Sequence, residues 1–336
     1  MKPDRAARVQ IAFRKMFRTA ICAGFFFCLP AFFSGCKRGE PTTEIKPAGE
    51  IWKQFSGEKA FAHTKNLVEF GPRPAGSRQL AKSRDYIVAA LQQSGWDVEL
   101  QKFTDTTPRG PVDFVNLLAR FPKSPGTPAA TDTQQYIVAS HYDTKLFDTI
   151  RFVGASDGAS STGALLELAR VLATAPDFAQ KIELVFFDGE EAVQQFSETD
   201  GLYGSRFYAR QLRDSKRNKQ FKSGVLWDMI GDKDLTITLP PDSPPQLARS
   251  IFESADALNL RKYFSYLDRD LLDDHVPLSS AMQANIPTID IIDFDYAYWH
   301  TADDTLDKLS PDSLQTVGAV TLRHLSEILS KNKCLP

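Results

Sequence analysis

The chain has 336 residues, 42% of them hydrophobic and 24% charged, with 40 Lys and Arg against 42 Asp and Glu. That composition excludes a disordered or fibrous chain, and a net charge of -2 leaves no excess of cations to meet a polyanion such as nucleic acid. Taken in order, Lys2, Arg5, Arg8, Arg14, Lys15 and Arg18 precede an apolar run from Thr19 to Phe33, and Ser34-Gly35-Cys36 follows. A basic region, a short apolar region and small residues before a cleavage point describe a secretory signal; Pro30 and the short run argue against a retained membrane span. Residues 37–50, with Pro41, Pro47 and Gly49, read as a flexible tether. Ile51, Phe55, Phe61, Leu67, Val68 and Phe70 recur at near-helical spacing until Gly71-Pro72 stops the helix. A second helix is predicted from about 79 to 93, then strands at 97–103 and 114–121 and a Pro-, Thr- and Ala-rich loop to Thr133. Further strands are read at 136–140, 182–187, 225–231, 235–239 and 288–292. Helices are read at 161–173, about 203–212, 245–258 and 312–329, with a short one opened by Asp273-Asp274-His275. Strands alternating with helices predict an α/β fold, a single globular domain whose mainly parallel central sheet is flanked by helices.

Phe33-Ser34-Gly35-Cys36 resembles the lipobox of bacterial lipoproteins. The resemblance implies cleavage before Cys36 and lipidation of its sulfur, and Lys37 after it implies passage to the outer membrane. The expected organisation is a signal peptide over 1–35, a lipidated Cys and tether over 36–50, and a catalytic domain over 51–336. Cys22 and Cys28 leave with the signal, so the mature domain has no pair of free thiols to bridge and is held by its core.

Residues with chemical potential gather after strands: His141 and Asp143, Asp157, Glu190 and Glu191, Asp228, Asp273 and Asp274, and His300. In open α/β sheets such ends are where ligands bind. Zinc takes His nitrogen and carboxylate oxygen, and a catalytic site keeps three protein ligands and an open position. Asp157, one Glu of the Glu190-Glu191 pair and His300 supply that set. The other Glu, whose side chain diverges from its neighbour's, stays free beside the cation as a general base. The competing reading makes Asp157 a helix N-cap and His141 either a metal ligand or a hydrogen-bonding support. His63, His275 and His324 read as structural.

From about Phe70 to Lys308 the chain resembles the animal-type glutaminyl cyclases, which share a fold with zinc aminopeptidases. The matching pieces include Phe70-Gly71-Pro72-Arg73, Ser140-His141-Tyr142-Asp143-Thr144-Lys145, Gly154-Ala155-Ser156-Asp157, Asp188-Gly189-Glu190-Glu191, Asp273-Asp274-His275 and Trp299-His300-Thr301. The resemblance implies that Asp157, Glu191 and His300 bind zinc, that Glu190 is the catalytic acid/base supported by Asp228 and Asp273, and that Trp299 walls the substrate pocket. Phe196 stands where that family usually has a pocket Trp, Leu272 where it often has Gln, and Ser140 and Thr162 where some members carry a disulfide. The implied activity is cyclisation of N-terminal Gln of peptides to pyroglutamate on one Zn2+. The alternative is a di-zinc aminopeptidase, with His141 and Asp228 as extra ligands. A third reading, a catalytically dead binding domain, conflicts with the complete set of acidic and His residues.

Overall fold

A computed structural model describes residues 49–123 and 134–330. By contacts the chain divides into Met1–Glu44 and Ile45–Pro336; the first unit, with the expected signal segment and Cys36, lies outside the described residues. Among the described residues no helix is long and apolar enough to cross a membrane.

In chain order the elements are α1 (Gly57–Glu69), α2 (Arg78–Gln93), β1 (Asp97–Thr107), β2 (Gly110–Arg120), β3 (Tyr136–His141), α3 (Ser161–Leu172), α4 (Pro176–Ala179) and β4 (Ile182–Phe187). They continue with α5 (Tyr203–Asp214), β5 (Ser223–Asp228), β6 (Ile237–Leu239), α6 (Pro245–Ala257), β7 (Phe264–Tyr266), α7 (His275–Ser279), β8 (Thr288–Ile292) and α8 (Pro311–Ser330). The strands form one sheet in the order β1-β2-β4-β3-β5-β8-β6-β7. Its centre, β4-β3-β5-β8, is parallel, while β1 and β2 on one side and the β6–β8 pairing on the other are antiparallel. The sheet is therefore mixed, with a parallel heart.

Strand pleating sorts the apolar residues into two layers. Tyr136 and Val138 of β3, Leu184 and Phe186 of β4, and Val225 and Trp227 of β5 pack with α1, α3, α6 and α8 on one face. Ile137, Ala139, Val185, Phe187 and Leu226 face the other way, onto Tyr208, Ala209 and Leu212 of α5 and Leu278 of α7. Central strands covered on both faces explain why β3, β4, β5 and β8 are buried from end to end.

The apolar spacing from Ile51 to Phe70 belongs to two elements rather than one helix. Ile51–Gln54 is a 3-10 turn, Phe55 is extended, and Ser56 caps α1 by accepting a hydrogen bond from the Lys59 amide. Polar capping at Ser56 breaks a hydrophobic pattern that runs on through the break. Ser140 Oγ and Thr162 Oγ1, the pair singled out by the resemblance, lie 3.2 Å apart and share a hydrogen bond.

Candidate active site

Of the polar residues singled out for chemistry, all but Asp273 and Asp274, which lie just before α7, sit at the carboxyl edge of the parallel strands or on a loop leaving it. β3 ends on His141, β4 leads into Glu190 and Glu191, β5 ends on Asp228, and the chain leaving β8 reaches His300. Asp157 lies in the irregular turn before α3, with extended backbone (φ -77, ψ 101). Its carboxylate makes no cap on α3, which has no side-chain cap at all, so the N-cap reading fails.

One donor oxygen or nitrogen from each of Asp157, Glu191 and His300 falls within 4.8 Å of the others. His300 Nε2 is 3.2 Å from Glu191 Oε1 and 3.4 Å from Asp157 Oδ2. Glu191, rather than Glu190, is the member of the pair that joins this group. A second group shares Asp157: His141 Nε2 lies 3.3 Å from Asp157 Oδ1 and 3.1 Å from Asp228 Oδ1. Asp157 thus turns one oxygen to each histidine.

The surroundings fix these side chains. Asp143 receives the backbone N–H groups of Glu190 (3.2 Å) and Glu191 (3.3 Å) on its two oxygens. Asp304 does the same for Ser156 (2.7 Å) and Asp157 (3.2 Å), and itself accepts the Tyr296 hydroxyl at 2.7 Å. Arg73, wholly buried, donates to the carbonyls of Val153 (2.8 Å) and Gly154 (3.1 Å), which tethers the loop that carries Asp157. Gly158 has φ +86, and a Cβ there would stand 2.6 Å from the Asp143 carbonyl and 3.0 Å from His141 Cε1. His300 and Met229 hold left-handed backbone (φ 55 and 46) without being glycine, strain that collects at functional sites. The Trp299 ring stacks on His300 at 4.3 Å, and Phe147 meets His300 edge-on at 5.4 Å.

Electrostatically the site holds more acid than it can ionise unaided. Burial pushes the Glu190 carboxyl well up, with Glu191, Asp273 and Asp274 adding to the shift against the opposing His141. Burial raises Glu191 to about 7, with Asp157 reinforcing it and His300 opposing. Burial would also raise Asp157, but His141, His300 and Arg73 outweigh it and hold that carboxyl down. Burial and the neighbouring Asp290 and Asp228 push Asp273 well up. Asp157 Oδ2 and Glu191 Oε2 are buried with no hydrogen-bond partner. Two buried carboxylates that each keep an oxygen without a donor, with Asp157 Oδ2 and Glu191 Oε1 on one imidazole nitrogen, are what a divalent cation satisfies, so these residues fit a bound metal.

The cleft above is lined by the buried Asp157, Glu190, Glu191, Asp228 and Asp273, by Phe196 and His300, and by the exposed Leu272 and Trp299, and measures about 230 Å³. All nine predicted site residues are brought together: eight line the cleft, and His141 lies directly beneath it against Asp157 and Asp228. Of the histidines read as structural, His63 meets the Tyr86 hydroxyl (2.6 Å) and His324 the Ser250 hydroxyl (2.8 Å). His275 is buried beside the site instead, with Nδ1 3.3 Å from Asp290 and Nε2 3.5 Å from Asp242. Sequence reasoning missed Asp304, whose carboxylate marks no motif, and Asp290, which reads as one polar residue in a buried strand.

Fold and site together define a class: single-domain α/β enzymes of the aminopeptidase-like architecture. The family model of Peptidase family M28 matches residues 116–325, and the chain belongs to that family. Its curated sequence relatives include glutaminyl-peptide cyclotransferases, and its structural neighbours include both glutaminyl cyclases and peptidases. The chain is 31% identical to a glutaminyl-peptide cyclotransferase-like protein of Bos taurus, over 78% of this chain and 73% of that one. A glutaminyl cyclase structure from an Acidobacteriales bacterium superposes with a TM-score of 0.74 at 34% identity, covering 83% of this chain and 96% of that chain. A Zn-dependent exopeptidase from Parabacteroides distasonis superposes with a TM-score of 0.71 at 26% identity, over 81% of this chain and 98% of the other.

Proposed function

We infer that the protein is a glutaminyl-peptide cyclotransferase, converting an N-terminal Gln to pyroglutamate with release of ammonia. The observation that carries the reading is the convergence of Asp157, Glu191 and His300 beside the buried Glu190, in a chain whose relatives are cyclotransferases. In this proposal Asp157, Glu191 and His300 hold one zinc ion, which when bound supplies Lewis-acid polarisation of the Gln side-chain carbonyl.

The remaining work belongs to the chain's own side chains. The substrate's α-amine, ordinarily with a pKa of about 7.7–8.0, must shed a proton before its nitrogen attacks the side-chain carbonyl carbon. With that first proton gone to solvent, the neutral amine attacks; Glu190 accepts the second proton that the attacking nitrogen sheds as the new C–N bond forms and delivers it to the departing amide nitrogen, so the old bond breaks and ammonia leaves. A carboxyl whose affinity for protons is raised by burial suits both halves of that transfer better than an exposed one. Asp228 and Asp273 line the cleft together with Glu190, and Asp273 adds to the field that raises the Glu190 carboxyl. Trp299 and Phe196 restrict the flexible Gln side chain to the folded conformer that cyclises, supplying proximity.

A purified signal-free protein, incubated with zinc and a Gln-initiated peptide, is expected to yield by mass spectrometry a product that keeps every residue and has lost one ammonia. Release of the N-terminal residue instead would mean hydrolysis, the outcome in which His141, Asp157 and Asp228 hold a second ion. The basic N-terminal segment and Ser34-Gly35-Cys36 further support export with a lipid anchor at Cys36 in the cell envelope, followed by a tether and the catalytic domain. Palmitate labelling that survives Cys36→Ser would overturn that anchor.

A further inference from the structure

Six acidic residues line the cleft, and the proposed mechanism accounts for five of them: Asp157, Glu190, Glu191, Asp228 and Asp273, all buried. The sixth, Asp270, is exposed at the mouth. Beside it in the same lining stand two large apolar side chains that water reaches, Leu272 at 48% and Trp299 at 41% exposure. The nearest basic residue in sequence, Arg269, lies 5.0 Å from the ring centroid of Phe294, another lining residue, and its charge is met by Asp268, 3.4 Å from Nη1, which leaves Asp270 as the carboxylate in the lining next to it. Lys145, buried and outside the lining, donates from Nζ to the Ala192 carbonyl at 2.5 Å and lies 4.0 Å from Glu191.

Size decides where a peptide must go. The cleft, at about 230 Å³, falls short of the roughly 300–1,000 Å³ of a site that encloses a whole small ligand. It takes the terminal Gln, and the following residue lies at the mouth. A side chain there meets an apolar surface, Leu272 and Trp299, ending at a carboxylate, Asp270. Lys and Arg match that sequence of surfaces: the methylene stem covers apolar area while the charged head stays in water, and a cation near an indole face gains further attraction.

Building on the cyclotransferase reading, we propose that Asp270 is a specificity determinant that favours peptides carrying Lys or Arg immediately after the N-terminal Gln. The test compares kcat/KM for three peptides that begin Gln-Lys, Gln-Ala and Gln-Glu and are otherwise identical, with the zinc-loaded wild-type protein and with Asp270→Asn. An exposed ion pair is worth about 0.2–1 kcal/mol, so the Lys peptide is expected to exceed the Ala peptide by about 1.5- to 5-fold, mainly through KM, with Glu below both. In Asp270→Asn the Lys-to-Glu ratio should shrink, and raising salt should shrink it in the wild type. A ratio unchanged by the substitution, or equal rates on all three peptides in the wild type, overturns the proposal. Failure of the wild type to cyclise any of the three overturns the cyclotransferase reading and this proposal with it.

Discussion

Glu190 and His300 carry different burdens although they lie in one cleft. Glu190 offers a proton acceptor, so replacing its carboxylate by an amide removes proton transfer and leaves shape and the Asp157–Glu191–His300 group in place. Glu190→Gln is expected to lose about 10²- to 10⁴-fold in kcat, with zinc content by atomic absorption unchanged. Activity near wild type in that variant would remove Glu190 from the chemistry. His300 is the one neutral donor of its group, and its ring is clamped by Trp299 and Phe147. His300→Ala is expected to release zinc under dialysis that the wild type survives; a retained ion would mean the ligand set is elsewhere. The members of this group were legible as residues because Asp157, Glu190, Glu191 and His300 sit in local motifs after strands. Their supports were not. Asp304 acts on Ser156 and Asp157 from 148 and 147 positions away, and nothing local in Ala302-Asp303-Asp304 distinguishes the carboxylate that reaches back from the exposed one beside it.

At the scale of elements, close approaches matter more than propensity. The first turn of α5 presses on β2 and the end of β4: Asn116 Nδ2 donates to the Gly204 carbonyl at 2.9 Å. A Cβ on Gly204 would stand 2.4 Å from Asn116 Oδ1 and 2.5 Å from the Asp188 carbonyl. Gly204→Ala is therefore expected to destabilise the fold by about 1–3 kcal/mol, read as a lower melting temperature, because the backbone on one side of that contact has little room to retreat. An unchanged melting temperature would mean that α5 slides freely on the sheet. The strands β4 and β8 were readable to their end residues, since a short, mostly apolar run, broken once by Glu183 or Asp290 and bounded by polar or turn residues, has few other uses in a chain of this kind. The short strand β7 was not, because Ser265 and Tyr266 are exposed and three residues carry no period. Its pairing with β6 comes from tertiary placement.

The whole molecule stores an excess of buried acid, and this sets how stability follows pH. Asp188 is pushed up to about 8, first by burial and then by Asp143. Its folded value lies above that of an unfolded carboxyl, about 3.9, so the stability associated with it is present at low pH and is lost as pH climbs toward 8. His275 is held at about 10 because Asp242 and Asp290 outweigh the burial that would lower it. Its contribution is complete below about 6.5 and disappears as pH rises through its folded value. Both slopes run the same way, so the metal-free protein, treated with a chelator, is expected to melt at a lower temperature at pH 9 than at pH 6. A higher melting point at pH 9 would contradict both assignments. Zinc added at a fixed pH should raise the melting temperature with concentration, since an ion held by the proposed ligands Asp157, Glu191 and His300 would bind the folded chain selectively.

The reach of Asp304 back to Asp157 also has a consequence for synthesis. A ribosome delivers Asp157, Glu190 and Glu191 well before His300, which lies 109 positions beyond Glu191, and before the carboxylate that fixes the Asp157 amide. A nascent or prematurely released polypeptide holds acidic donors but neither the imidazole nor the brace that orients them. In the proposed metal site, ion capture would thereby be deferred to the last stage of maturation, and a loaded site would certify a finished chain.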